Sequence, residues 1–383
     1  MITSAAAPVK IIDVMDAAYL PSMQGIVVGG RNGFVGLAKI DGDVLNIEQI
    51  EGQVSEDITV VAQLSDHQVL LGGSHGGIFL FDSEGIKKVA MLSEYQEPVL
   101  DIGITKGDIW AVGARGLLAR SHDGINWEPF EILQIQQPPI RLKNLGVGEL
   151  YFGVANIDLD SISLDATVGG RKVVIDEDYA FYSEEGFMDI FSRFDDVTAA
   201  EISFSFAPGP PYRRGDVSWN AVVVRNETII LAGEFGYIIR SMDAGENWER
   251  MAAVVEDHEP QAPYWLAGHS FDETIFLVGA AGAITRSNDG GATWETINPP
   301  NEEGIFGVTR TPTGKMLILG AVGLAGIESE GGWILADRTK LQLRSWLKTA
   351  VQLPDGSLIC LGGRSTALRY QLDKWAILNL SLK

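Results

Sequence analysis

The side chains able to act as ligands or nucleophiles are few and dispersed. The five histidines, His67, His75, His122, His258 and His269, include no two at the short spacing by which one element presents a metal site. Cys360 is the only cysteine, in the apolar run Leu358-Ile359-Cys360-Leu361, so no intramolecular disulfide can form and the residue reads as a buried strand position. Two acidic pairs, Asp158 with Asp160 and Asp176 with Asp178, have the charge to attract Ca²⁺, yet neither continues as a twelve-residue calcium loop. The chain lacks a Gly-x-Ser-x-Gly elbow, a phosphate loop and a Cys-His pairing. These readings predict no enzyme, no metal and no cofactor. One patterned set of charges remains: Arg31, Arg115 and Arg364 each sit in a glycine turn of similar sequence. On an acidic chain such a cluster would be conspicuous to an anionic partner.

The elements that carry those turns recur along the chain. An apolar run ending in glycine, two variable residues, a small residue and a second apolar run appear seven times, with first glycines at Gly29, Gly72, Gly113, Gly233, Gly279, Gly320 and Gly362. The pattern reads as a tight hairpin, with glycines accepting the positive φ of the connection. The steps between copies are near 40 to 45 residues, the length of a four-stranded propeller blade, except the 120-residue step from Gly113 to Gly233. Seven copies predict an all-β, seven-bladed β-propeller. The long step reads as one blade plus an insertion, the alternative being two degenerate blades hidden there. The division is then blades 1–3 in 1–137, an inserted acidic β-module in 138–213, and blades 4–7 in 214–383. End-to-end closure is expected to set the first strand, about residues 10–16, beside the last strand of blade 7, about residues 375–380, leaving no free edge.

Composition agrees with this class. Forty-four glycines and 46% hydrophobic residues fall in short runs bounded by Gly, Asp and Asn. The formal charge of −22 disfavours nucleic acid and anionic membrane surfaces. No run approaches the roughly 18 apolar residues that span a bilayer. The N-terminus has no basic region followed by an apolar one, so synthesis in the cytoplasm is expected.

Between third and fourth strands lie Ser241-Met-Asp243-Ala-Gly245-Glu-Asn247-Trp248 and Ser287-Asn-Asp289-Gly-Gly291-Ala-Thr293-Trp294. A shorter copy is Ser121-His-Asp123-Gly124-Ile-Asn126-Trp127. Here the Asp carboxylate can accept backbone N–H groups across the turn, and the Trp can pack between blades. These segments resemble the Asp-box, or bacterial neuraminidase, repeat. Over roughly 300 residues the chain is similar to Asp-box propellers related to the photosystem II assembly factor of plastids and cyanobacteria. That resemblance implies client binding without chemistry, and a structural role for Asp123, Trp127, Asp243, Trp248, Asp289 and Trp294. Sialidases share the box but need an Arg triad, a Tyr-Glu pair and a general acid around the axis, a set that no motif here supplies.

The insertion opens with Pro138-Pro139 and closes with Pro208-Gly209-Pro210-Pro211. Its alternating runs predict about four strands, and its cadence resembles small β-modules of phage tail and virion proteins. Three functions compete. The leading one is a structural or docking component of a larger assembly, of the virion or tail kind, with other proteins of that assembly as partners. The second is an assembly chaperone similar to the photosystem factors. The third is a glycan-binding or sialidase-like protein, which requires a deep axial pocket of Arg and carboxylate side chains. In the docking readings Arg31, Arg115 and Arg364 share one face with the insertion, opposite the Asp turns.

Overall fold

A computed structural model describes residues 11–133 except 53 and 106, together with 135–136, 140–142, 167–168, 171–175, 215, 217–251 and 263–383. Seven antiparallel sheets make seven blades. Blade 1 is built from Val14–Leu20, Gly25–Gly30, Val35–Asp41 and Val44–Gln49. The others occupy 58–91, 99–129, 219–251, 265–296, 305–335 and 347–377. Among the described residues the 120-residue step holds no further blade. Within it, Ile140–Leu142, Arg171–Ile175 and Thr167–Val168 form a small three-stranded sheet. The acidic pairs at 158/160 and 176/178 and the remainder of the expected module lie outside the described residues.

The core sits between blades. Second strands such as Gly25–Gly30, Ile109–Gly113 and Leu358–Gly362 are buried along their whole length, since each is covered on both faces by neighbouring blades. This explains why they read as unbroken apolar runs. One buried cluster joins Leu20, Val27 and Val35 of blade 1 to Ile58, Val69 and Phe79 of blade 2. Another joins Val351, Ile359 and Leu361 of blade 7 to Val14 and Ile26 of blade 1. At roughly 1.5–3 kcal/mol for each fully buried aliphatic side chain, these seams hold the ring together.

Ring closure differs from the expectation. Blade 7 completes its own four strands at Ile377, and Asn379–Leu382 then crosses to pair in parallel with Val44–Gln49, the outer strand of blade 1. The first strand lies at the axis, against the first strand of blade 7, so it has no free edge to receive the last strand. The outer strand does, and the added strand helps to bury Leu45 and Ile47. Blade 4 is extended in the same way, by Ile135–Gln136 running parallel to Trp248–Glu249 as the chain leaves blade 3.

Candidate protein-docking face

Strands alternate in direction within each blade, so the turns between second and third strands lie at the same end of the ring as the links from one blade to the next. Arg31, Arg115 and Arg364 are all exposed at this end, and the insertion leaves from it. The arginines are not equivalent. Arg31 holds the first turn position and its Nε is 3.4 Å from the carboxylate of Asp13, whereas Arg115 and Arg364 hold the second. Arg31 and Arg364 are brought together around Asp13, whose carboxylate also accepts the backbone N–H of Arg364 at 2.8 Å. Arg115 stands apart, in blade 3.

The second glycine of these turns takes the expected positive φ, as in Gly33, Gly116, Gly236, Gly282 and Gly323 at 69–75°, but the first acts differently from the sequence reading. The last strand glycine before the turn is extended, and it is glycine because of close approach. A Cβ on Gly113, Gly233 or Gly279 would lie 2.0–2.1 Å from the carbonyl oxygen of Pro98, Ser218 or Tyr264, the residue that precedes the first strand of the same blade. That oxygen accepts the N–H of the next turn residue, Ala114, Glu234 or Ala280, at 2.9–3.2 Å. The left-handed conformation falls first on the following non-glycine residue: Asn32, Arg115, Phe235, Ala281, Val322 and Arg364 all have φ of 50–56°.

A second device recurs around the rim. In three blades the residue just before the first strand reaches to the turn of the preceding blade. Asp57 accepts the N–H of Asn32 at 2.7 Å, Ser218 accepts that of Arg115 at 3.3 Å, and Asp13 accepts that of Arg364. In blade 2 the corresponding N–H, from His75, is capped by buried Glu56 at 2.6 Å. The cationic sector of the face, blades 7, 1, 2 and 3, is thus closed by its own oxygens.

Below the rim each first strand carries one extra residue, a bulge at Met15, Thr59, Leu100, Asn220, Leu266, Phe306 or Lys348. All but Met15 line an axial cavity of about 250 Å³, with Asp16 and Asp101. The Asp16 carboxylate accepts the N–H of Val61 at 2.8 Å, joining blade 1 to blade 2. Asp101 accepts that of Val222 at 2.9 Å, joining blade 3 to blade 4. Asn220 donates to the carbonyl of Trp265 at 2.7 Å, and Lys348 donates to that of Thr59 at 3.2 Å. Burial raises both carboxyls, Asp101 to about 7, and the nearby Asp16 charge adds to that shift against the lowering by backbone N–H bonds and Lys348. His269, also in the cavity wall, is pushed down to about 4 by burial and by Arg310, and stays neutral. These groups fasten blades to one another. Their carboxylate oxygens are engaged by backbone, and among the described residues no arginine lines the cavity. The sequence reading missed Asp16, Asp101 and Lys348, although each is a lone charge in an apolar first strand just after the link.

On the opposite face the three Ser-x-Asp turns are closed hydrogen-bond circuits. Asp123, Asp243 and Asp289 accept the N–H of Asn126, Asn247 and Thr293 at 2.8–2.9 Å. The serine hydroxyls accept the N–H of Gly124, Gly245 and Gly291, and the indoles of Trp127, Trp248 and Trp294 donate to the carbonyls of the same glycines. These bonds hold the carboxyls of Asp123 and Asp243 below the usual carboxylate range, and Asp289 is lowered likewise against a larger opposing effect of burial. Trp248 and Trp294 are buried in the seams, while Trp127 is only partly covered. No group of three or more His, Cys, Asp or Glu among the described residues is placed to hold a metal ion.

The family model described as photosynthesis system II assembly factor YCF48 matches residues 212–326, which hold blades 4 and 5 and most of blade 6. Comparison with curated proteins finds no match. Among solved structures, YCF48 from Cyanidioschyzon merolae is similar over 96% of this chain and 97% of its own, with 12% identity and a TM-score of 0.56. The WD40 β-propeller domain of Doa1 is similar over 95% and 94%, with 10% identity and the same TM-score. A structure of YCF48 bound to D1 peptide is similar over 73% and 67%, at 15% identity and a TM-score of 0.42. The similarity over the whole ring is one of fold.

Proposed function

We propose that this chain is a non-catalytic propeller that binds a protein client during assembly of a larger complex, and that it does so through its glycine-turn face. The observation that carries the reading is the match of residues 212–326, two blades and most of a third, to a family described as an assembly factor. It favours the assembly chaperone over the virion or tail component, for which no comparison speaks. A sialidase-like site finds no support in the cavity wall, whose acidic groups are bonded to backbone and which has no arginine among the described residues. On this reading Arg31, Arg115 and Arg364 meet acidic groups of the client, and the insertion flanks the docking face.

Fractionation of the source cells tests it. An assembly factor co-migrates in sub-stoichiometric amounts with incomplete intermediates and is lost from the finished complex. Constant stoichiometry with a finished particle would instead support the structural-component reading.

A further inference from the structure

The rim caps are missing from one sector of the same face. In blades 4, 5 and 6 the left-handed turn residues are Phe235, Ala281 and Val322. The rim positions that would cap them hold Tyr264, Gly304 and Trp346, none with a carboxylate or an aliphatic hydroxyl. The N–H groups of Phe235, Ala281 and Val322 meet no acceptor among the described residues, although the corresponding N–H in every other blade is held by Asp13, Asp57, Ser218 or Glu56. The donor residues themselves, Phe235, Ala281 and Val322, are apolar and exposed, while the nearby charges are already engaged, Glu303 with Arg338 and Glu234 with Ser218. Phe235 and Val322 are each 54% exposed, and the Phe235 and Tyr264 rings meet edge to face at 6.0 Å. A bulky aromatic and a β-branched residue in left-handed turns cost conformational energy and bury little in return.

We propose that the turns of blades 4, 5 and 6 dock an extended, uncharged apolar segment of a partner polypeptide, whose main-chain carbonyl oxygens accept from Phe235, Ala281 and Val322. The occupant follows from what the rest of the ring supplies, namely an oxygen at that position in each of the other four blades. A carbonyl suits the sector better than a carboxylate. The only acidic group in these three turns, Glu234, already accepts the N–H of Ser218 at 3.0 Å and bonds the Tyr264 hydroxyl, and its charge repels a second anion. The turns of blades 5 and 6, Ala280-Ala281-Gly282 and Ala321-Val322-Gly323, carry no charge. This deepens the client-binding reading, on which it rests, by giving the client's chemistry.

The test is an immobilised array of random decapeptides probed with the purified full chain and three variants. The wild type should retain peptides rich in apolar residues and poor in charge. Phe235→Ser with Val322→Ser should lose them at least tenfold with an unchanged melting temperature, since both side chains are exposed. Tyr264→Asp, which places a carboxylate where Asp13 and Asp57 sit, should lose them by capping the blade 4 turn internally. Ile125→Ser, at an exposed position on the opposite face, should retain them. The inference is overturned if nothing is retained, if the Ser double variant binds as well as wild type, or if the retained peptides are acidic. Cellular fractionation separates the two levels: a Ser double variant that still joins assembly intermediates sinks this site and leaves the function standing. Wild type that joins none sinks the function.

Discussion

Trp294 shows how much one residue of the Ser-x-Asp turns contributes. Its ring fills the seam with Ile230 and Ile275, and its indole N–H closes the circuit on Gly291 at 3.1 Å. Trp294→Ala should destabilise by about 3–5 kcal/mol, the range for truncating a large buried aromatic, read as a lower denaturant midpoint. Client binding by the folded fraction should be unchanged, because the turn is on the far face. The axial carboxyl gives a pH signature. Burial lifts Asp101 from its ordinary 3.8 to about 7, so the native chain holds a proton that the unfolded chain has released. Stability should therefore fall as pH rises between about 4 and 7. Asp101→Asn should flatten that slope, leaving the part due to Asp16, and a series of urea midpoints across the window measures it; an unchanged slope contradicts the burial account. The Ser-x-Asp motifs were legible because their chemistry is local, complete within eight residues. Asp16, Asp101 and Lys348 were not, because their partners lie on other blades and only ring closure brings them together.

At the scale of the element, the glycine turn contains two positions with opposite demands. Gly279 is extended and has no room, since a Cβ would lie 2.0 Å from the Tyr264 carbonyl oxygen. Ala281 has room but is left-handed, with φ of 53°. Gly279→Ala should cost about 2 kcal/mol or more through the forced shift of the first strand, while Ala281→Gly should gain about 1 kcal/mol by relieving the Cβ clash. Thermal unfolding of the two variants decides it, and equal effects would show that the turn tolerates both alike. The repeat was legible because hairpin chemistry leaves glycines at a fixed period. The bulges were not, since an extra residue such as Asn220 or Leu266 only shifts the alternation beyond it and leaves no turn residue behind.

At the scale of the molecule, the repeat count determined seven blades, and the described residues of the 120-residue step add no further one. Closure was misread because a period tells how many blades there are and not which edge is left without a neighbour. The turns of this face divide into those of blades 7, 1, 2 and 3, capped by the chain's own oxygens, and those of blades 4, 5 and 6, which are not, a division invisible until Asp13, Asp57 and Ser218 are seen reaching to the preceding blade. The central claim is that this face, and not the Ser-x-Asp face, meets the client. A photo-crosslinking residue placed at Arg115, exposed on the glycine-turn face, and separately at Ile125, 48% exposed in a Ser-x-Asp turn, tests it in the source cells. Crosslinks from position 115 to a subunit of an incomplete assembly, with none from position 125, are the predicted result. Crosslinks to that subunit from position 125 and none from position 115 would contradict it.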